Sequence, residues 1–323
     1  SMKFLTPKIK QFLSLLLKFI VVGLAFYFIQ SQLAEKEWNW DIIQKQWEKP
    51  EAIFYLTGLL ILTFLNRFIE ILKWKNLAQV IEPISVWEST KQVLIGITFG
   101  IVTPNGIGEY AGKAWFYPKK EAGKVVFLNA VCNGIQVIYA VTFGLIGTLY
   151  VNHLHEFIAT KYIYLFFGGL AAAVLFVFSI KNINVKGYSL RTIFKFLGEI
   201  KKDIHIQNIT LAFLRYAVLV HQYYLLYRFF DVDIAYGTLL AVVASIYLLA
   251  SSLPNFQAID FALKGSVAIF LFGFFGVNEW VIALVATSIW LLNLVIPISI
   301  GSLFLLLFNP KKKESSNLNE TGL

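Results

Sequence analysis

The sequence predicts an all-α, polytopic integral membrane protein that consists of two inverted repeats. Three observations support this fold class. The chain of 323 residues is 58% hydrophobic and only 15% charged, with a mean hydropathy of +0.67. It contains several apolar runs of about 20 residues, the length that an α-helix needs to cross a bilayer. A helix-breaking, charged motif also occurs twice within the apolar sequence, as expected of a duplicated unit.

Hydropathy predicts about six full spans and two further apolar regions, each interrupted by a Pro-Asn pair. The region Val93–Val102 is too short to cross a bilayer, so a re-entrant hairpin is expected there. Its counterpart, Tyr236–Leu253, is just long enough to span, and both a hairpin and a pair of broken spans remain open for it. The six predicted spans lie near Phe12–Ile29, Ala52–Leu72, Val125–Val151, Tyr162–Ile180, Ile209–Phe230 and Trp280–Phe308.

The placement of lysine and arginine residues predicts the orientation of these spans. The stretches 72–91, 113–124 and 181–202 are basic, whereas 31–51 and the turn at 231–233 are acidic. The basic stretches all lie on the cytoplasmic side, and the acidic stretches on the outer side, only if both termini are cytoplasmic. The first motif then enters the membrane from the cytoplasmic side and the second from the outside. Residues 52–151 and 209–308 are therefore predicted to be inverted repeats.

The whole chain, residues 1–323, is expected to form one membrane domain with two peripheral segments. Within 181–208, apolar residues recur at helical spacing from Leu190 to Leu197, while basic residues occupy the other faces. This pattern is typical of an amphipathic helix on the cytoplasmic leaflet, with a solvated connector helix as the alternative. Residues 314–323 are polar and are predicted to form a disordered tail.

The duplicated motif carries most of the charges that fall inside apolar sequence. Each copy has Pro-Asn, then an acid, then a lysine four residues after the acid, and each is preceded by an arginine next to an aromatic residue. The prolines prevent a continuous helix, and the glycines of the first copy permit unusual backbone angles. The candidate substrate-binding residues are Arg67, Pro104, Asn105, Gly106, Gly108, Glu109 and Lys113 in the first copy, and Arg215, Pro254, Asn255, Asp260 and Lys264 in the second.

These charges must pair or face water, because a charged side chain at the bilayer centre costs about 2.5–3.5 kcal/mol. Glu109 can meet Lys113, and Asp260 can meet Lys264, on one helical face, and Arg67 can meet the acid three residues further on. One interpretation is that these pairs only staple the broken elements together. The other is that two half-sites, each with one acid and one base, converge near the midplane. A zwitterionic headgroup would pass there, with its phosphate on a lysine or arginine and its amine on an acid.

Polar residues also mark the spans that accompany the motifs. Asn129, Asn133 and Gln136 form a stripe on the span after the first motif, and His221, Gln222 and Arg228 are weaker candidates in the second half. Interhelical hydrogen bonding explains such a stripe better than a substrate path does.

The motif stretches, and loosely nearly the whole chain, resemble the transmembrane region of bacterial lysylphosphatidylglycerol synthases and their stand-alone flippase-like relatives. The supporting residues are Arg67, the run Pro104-Asn105-Gly106-Ile107-Gly108-Glu109 with Lys113, and Leu253-Pro254 followed by Phe275-Gly276-Val277. The resemblance implies a translocase that moves phospholipid-type substrates between the leaflets of the bacterial cytoplasmic (inner) membrane, without the soluble aminoacyl-transfer domain. The chain departs from the family in its second motif, where Phe256-Gln257-Ala258 and Asp260 replace a Gly-Gly stretch and Glu.

The sequence does not favour an enzyme, a metal site or a nucleic-acid partner. Cys132 is the single cysteine, and His153 and His155 have no evident third ligand. Neither motif contains a histidine, and the basic residues fall in short loops where orientation and anionic lipids explain them. No cofactor is expected, and the expected partners are membrane lipids and a separate lipid synthase. Two alternatives stay open: a small-solute or ion-coupled transporter, and a non-catalytic membrane partner of a lipid synthase.

Overall fold

The computed structural model describes residues 20, 40–101, 103–104, 106–179, 190–251 and 260–307 of the chain. The elements in these ranges are helices. Apart from residue 20, the predicted span Phe12–Ile29 lies outside the described residues, as does the predicted tail 314–323. Among the candidate binding residues, Asn105, Pro254 and Asn255 also lie outside them.

Four helical segments are long and apolar enough to cross a membrane: Ala52–Ala78, Lys119–His155, Lys202–Phe229 and Glu279–Leu307. They coincide with four of the predicted spans, and a fifth predicted span forms a 20-residue helix. In chain order the helices are α1 Trp40–Trp47, α2 Ala52–Ala78, α3 Val86–Gly100, α4 Gly108–Ala114, α5 Ala122–His155, α6 Thr160–Ser179, α7 Leu190–Glu199, α8 Lys202–Phe229, α9 Tyr236–Ser251, α10 Asp260–Gly273, α11 Glu279–Trp290 and α12 Ile296–Leu307. A 3-10 turn, Lys119–Glu121, precedes α5, and a π-helical turn, Leu291–Val295, joins α11 to α12.

The long helix α2 extends beyond the predicted span. Hydropathy places its end at Leu72, just before a lysine, but the helix continues to Ala78. The helix can continue past Leu72 because the polar side chains of the extension form hydrogen bonds inside the protein. Lys73 and Trp74 are both completely buried in this extension. Helix α8 begins at Lys202, so the last residues of the predicted connector belong to a long helix.

The connector helix α7 presents apolar side chains outward. Ile193, Phe194 and Phe196 are all exposed in the described structure. Exposed apolar residues on a short helix with basic residues on its other faces are typical of a helix at a membrane surface. Residues Leu190–Glu199 are thus helical, and the position of this helix on the cytoplasmic leaflet stays a prediction.

The first motif separates α3 from α4 by a tight turn. Gly106 has a φ of 70°, a left-handed conformation that glycine adopts without strain. The Thr103 hydroxyl donates to the Gly100 carbonyl at 2.9 Å and accepts from the Gly108 amide at 2.7 Å, so it caps both helix ends. The two helices then pack as an antiparallel hairpin, in which a Cβ on Gly112 would lie 2.8 Å from the Gly96 Cα. This close approach requires glycine.

Helices of the two halves pack in matching ways. α2 lies antiparallel to α8, since Gln222 donates to Thr63 at 2.9 Å and Arg215 to Asn66 at 3.0 Å. α3 packs against α12, and α5 packs against α9. Both of these contacts are also antiparallel and depend on glycine. A Cβ on Gly301 would lie 2.5 Å from the Thr98 hydroxyl oxygen, and a Cβ on Gly144 would lie 2.5 Å from the Leu248 Cβ.

Two apolar cores are separated by a polar layer. One core contains Trp74 of α2 and Ile298 of α12, and the other contains Leu59 of α2 and Val285 of α11. Polar side chains occupy the intervening part of each helix. Arg215 stands at the middle of α8, and Asn293 at the middle of the segment Glu279–Leu307. Arg215 and Asn293 therefore place polar groups halfway along two of the membrane-length segments.

Candidate functional site

An ionic bridge joins the two halves of the chain in this polar layer. The Glu70 carboxylate pairs with Arg67 one turn earlier on α2, and Arg215 of α8 approaches the same carboxylate oxygen at 3.2 Å. The side chains of Arg67 and Arg215 are 16% and 21% exposed, and that of Glu70 is 7% exposed. The arginines that precede the two motifs thus converge on one buried acid.

A π-helical turn supplies a further acceptor to Arg67. Pro297 lacks an amide hydrogen, so it cannot bond to the carbonyl of the residue four positions earlier, Asn293. The backbone widens into the π turn Leu291–Val295 at this point, and the guanidinium of Arg67 donates to the Asn293 carbonyl. Single π turns of this kind occur frequently at functional sites.

The side chain of Asn293 extends the network in two directions. Its carbonyl oxygen accepts from Asn66 at 2.5 Å, and its amide donates to Gln222 at 3.1 Å. Gln222 in turn donates to Thr63 at 2.9 Å, and Asn66 accepts from Arg215 at 3.0 Å. These hydrogen bonds connect α2, α8 and the π turn through buried and partly buried side chains, so the three elements share one polar network.

The first motif adds a second group of buried charges. Glu109 and Lys113 of α4 are 7% and 1% exposed, and their ion pair measures 2.5 Å. Lys113 also donates to the Asn129 side chain of α5 at 2.6 Å and lies over the ring of Trp74, 4.6 Å from its centroid. The predicted pairing within the motif is therefore present, and both helices beside it contribute contacts.

Lys73 is a buried cation that has no acidic partner within 4.0 Å in the described part of the chain. It is completely buried, and its ammonium donates to the Cys132 carbonyl at 2.9 Å and to the Gln136 side chain at 3.4 Å. Both acceptors belong to α5 and are uncharged. The charge of Lys73 is thus left without direct neutralisation.

Glu70 is the electrostatic centre of these groups. It interacts with Arg215, Arg67, Lys113 and Lys73, and Arg67 interacts in addition with Glu109. We call these six residues the central cluster: Arg67, Glu70, Lys73, Glu109, Lys113 and Arg215. Four of them are basic and two are acidic, which gives the cluster a formal net charge of +2. Two buried donors near it, Arg67 Nε and Asn129 Nδ2, have no hydrogen-bond partner among the described residues.

The second motif forms its own ion pair. Asp260 and Lys264 of α10 are paired, and the Lys264 ammonium lies 4.6 Å from the centroid of the Tyr247 ring. Tyr247 interacts electrostatically with both Asp260 and Arg215. The ion pairs of the described residues do not join Asp260 or Lys264 to the pair of the first motif. In the described structure the second motif thus keeps an ion pair of its own, separate from those of the cluster.

Glu70 was expected only as the ion-pair partner of Arg67. Other residues of the site were not among the sequence-predicted candidates: Thr63, Asn66, Lys73, Trp74 and Asn293. A signal for the α2 residues was present, since polar residues recur every three or four positions from Thr63 to Lys73. That spacing places them on one helix face. For Asn293 the signal was a polar residue in an apolar run, four positions before a proline.

A cleft of about 610 Å³ lies away from the cluster, where α2 begins and α8 ends. Ion pairs of Lys49 with Asp231 and of Arg228 with Asp233 form its rim. The hydrogen bond from Lys49 holds the pKa of the Asp231 carboxyl below its usual range.

Within the described residues there is no group of three side chains suited to a metal ion, and His155 packs against Phe274 and Phe275.

No protein-family model, curated protein or solved structure matches this chain.

Proposed function

We propose that this protein is a flippase-like lipid translocase that moves a phospholipid-type headgroup between the leaflets of a bacterial cytoplasmic membrane. The observation that carries the proposal is the central cluster. It gathers an arginine from each half of the chain around one acid, halfway along helices of membrane-spanning length. Intramembrane charges facing the interior of a helical bundle are characteristic of substrate and ion pathways. The role is binding and passage, not covalent chemistry.

The packing of the helices supports an inverted repeat. In this interpretation α2 to α5 correspond to α8 to α12, with α2 equivalent to α8 and α3 to α9. The equivalent helices α2 and α8 run antiparallel, and the contact of α3 with α12 is matched by that of α9 with α5. In such transporters the substrate site lies at the repeat interface near the midplane. The central cluster occupies that interface, and the hairpin of α3 and α4 corresponds to a re-entrant element.

Structural stapling alone does not explain the composition of the cluster. Staples need equal numbers of acids and bases, and the pair of Glu109 with Lys113 satisfies that condition. Lys73 and the second arginine on Glu70 exceed it. Each unneutralised charge in hydrocarbon costs about 2.5–3.5 kcal/mol. Replacing the excess cations by apolar residues would therefore stabilise the fold if these cations had no role in function. An anionic headgroup gives these cations a use.

An aromatic stack provides a route for the lipid chains. Phe143 of α5 stacks on Tyr216 of α8 with centroids 4.9 Å apart, and Tyr139 packs on Phe213 at 5.7 Å. Phe213 is 44% exposed on the surface of the helix bundle. This stack runs from the lipid-facing surface to the residue next to Arg215. In this proposal the lipid keeps its chains in the membrane while its headgroup enters between α5 and α8, which the aromatic stack holds together in the described structure. The buried cluster corresponds to an occluded state.

Reconstitution into liposomes with labelled phospholipids tests the proposal. We expect leaflet exchange faster than in empty vesicles, and slower exchange for Lys113→Met, which removes a cation of the cluster. Lys161→Met is the matched control, because Lys161 is exposed on α6. Exchange equal to that of empty vesicles for several headgroups would count against a translocase. Uptake of a soluble substrate without leaflet exchange would instead favour the small-solute transporter. Co-purification of a lipid synthase with an inactive variant would favour the partner role.

A further inference from the structure

We propose that the central cluster receives a phosphate group that carries two negative charges, as in a phosphate monoester at the end of a lipid. A phosphodiester, which carries one negative charge, is the less favoured ligand. This inference rests on the proposed function and names the substrate class of that site. A lipid phosphomonoester and free inorganic phosphate share this chemistry, and the experiment below separates them.

The first argument is charge balance. The central cluster has a formal net charge of +2, with four cations and two carboxylates. The remaining acid within the apolar helices, Asp260, is already paired with Lys264. The other described acids lie in loops or near helix ends, and the ion pairs of the described residues do not join them to the cluster. A dianion balances the site, whereas a phosphodiester leaves one buried cation unmatched, and an isolated buried charge is strongly disfavoured.

The second argument is the excess of hydrogen-bond donors. The ammonium of Lys73 has three N–H donors, but only two acceptors contact it, the Cys132 carbonyl and the Gln136 side chain. Asn129 is completely buried, and its side-chain amide nitrogen has no partner among the described residues. The buried Nε of Arg67 likewise has no hydrogen-bond partner among the described residues. These spare donors fit the three terminal oxygens of a phosphate monoester, which accept charge-assisted hydrogen bonds.

Lys73 decides between one negative charge and two. Two balanced half-sites, each with one acid and one base, would suit the zwitterionic headgroup expected from the motifs. Glu109 and Lys113 form one such balanced pair, and so do Asp260 and Lys264. Arg215 and Lys73 add two positive charges to a third balanced pair, Arg67 with Glu70. The preference for a dianion therefore depends on Lys73, which lies outside both motifs.

Binding to the purified full-length protein in detergent micelles tests this inference directly. Phosphatidic acid is the monoester probe, phosphatidylglycerol with identical acyl chains is the diester probe, and inorganic phosphate is the soluble competitor. At about pH 8, above the second pKa of about 6 for a phosphate monoester, the first probe is mainly dianionic. We expect it to bind about 10- to 100-fold more tightly than the diester, the effect of one additional charged hydrogen bond.

Lys73→Met is the decisive variant. It should lower the affinity for phosphatidic acid to that for phosphatidylglycerol and leave the diester affinity unchanged. Asn129→Asp reduces the net charge of the site by another route and should act in the same direction, so the test survives if the first variant fails to fold. Lys161→Met, on an exposed lysine, is the control. Equal affinities for the two lipids in the wild-type protein would overturn the inference, as would an equal loss for both in Lys73→Met.

Two further outcomes distinguish a lipid phosphate from a soluble phosphate. They also test the ligand assignment independently of the proposed function. Displacement of the lipid by inorganic phosphate at an equal concentration assigns the site to the soluble anion, and displacement only at a large excess assigns it to the lipid. Monoester-selective binding without leaflet exchange in liposomes contradicts the translocase but supports the ligand assignment. Leaflet exchange without monoester preference contradicts the ligand assignment alone.

Discussion

Glu70→Gln should destabilise the protein strongly, because this one carboxylate pairs with two arginines. The substitution keeps the shape of the side chain and removes its charge, leaving Arg67 and Arg215 as neighbouring cations in a layer where they are 16% and 21% exposed. Removing one partner of a buried ion pair costs about 3–5 kcal/mol. Arg67 keeps its bond to the Asn293 carbonyl and both arginines retain some exposure. We therefore expect a loss near the lower limit, about 3 kcal/mol.

A double-mutant cycle separates this effect from a simple loss of packing. Arg215→Gln alone leaves Glu70 paired with Arg67, so it should cost less, about 1–2 kcal/mol. The double variant removes the acid together with one of the cations that it neutralises. It should therefore be more stable than Glu70→Gln alone, because only one unpaired guanidinium remains.

The measurement is unfolding of the purified variants in detergent, followed by circular dichroism. Glu199→Gln, at an exposed acid of α7, is the control and should behave as wild type. The reasoning is refuted if Glu70→Gln is as stable as wild type. It is also refuted if the loss in the double variant equals the sum of the two single losses, because the three charges would then not act as a unit.

Two further predictions concern the packing and the outer ion pairs. Gly301→Ala should destabilise the contact of α3 with α12 by about 1–3 kcal/mol through overpacking, whereas Gly134→Ala, with nothing near its Cβ, should not. Unfolding of both variants in detergent checks this, and equal stability would contradict the packing. Asp231 has a lowered pKa, so its pair with Lys49 stabilises the fold above the unfolded-state pKa and is lost as pH falls through the folded-state pKa. The effect should stay below about 1 kcal/mol, since Asp231 is 64% exposed. Lys49→Met should weaken this pH dependence of stability, while Gln46 still donates to Asp231. An unchanged pH profile would contradict the prediction.

The ion pairs were predictable because they depend on local spacing. Acids and bases three or four residues apart share a helix face, and the pairs of Arg67, Lys113 and Lys264 all form as predicted. The central cluster was not predictable in this way. Hydropathy counts a lysine as the end of a span, so Lys73 was assigned to a basic loop, although the helix continues and buries it.

The long-range contacts of the site could not be predicted from the sequence either. The approach of Arg215 to Glu70 joins residues far apart in the chain, and it depends on the antiparallel packing of α2 with α8. The free carbonyl of Asn293 depends on a proline one turn later and on the π turn that it induces. A polar residue four positions before a proline in an apolar run is the pattern to look for.

The proposed site requires that the two halves of the chain face opposite ways in the membrane. Thiol labelling tests this orientation directly. The chain has a single cysteine, Cys132, so a Cys132→Ser background accepts one new cysteine at a time. Val80 and Asp233 lie in equivalent loops, directly after α2 and α8, and both are exposed. A membrane-impermeant reagent should label Asp233→Cys in intact cells and Val80→Cys only after the membrane is permeabilised. Labelling of both from the same side would contradict the inverted repeat and the site built on it.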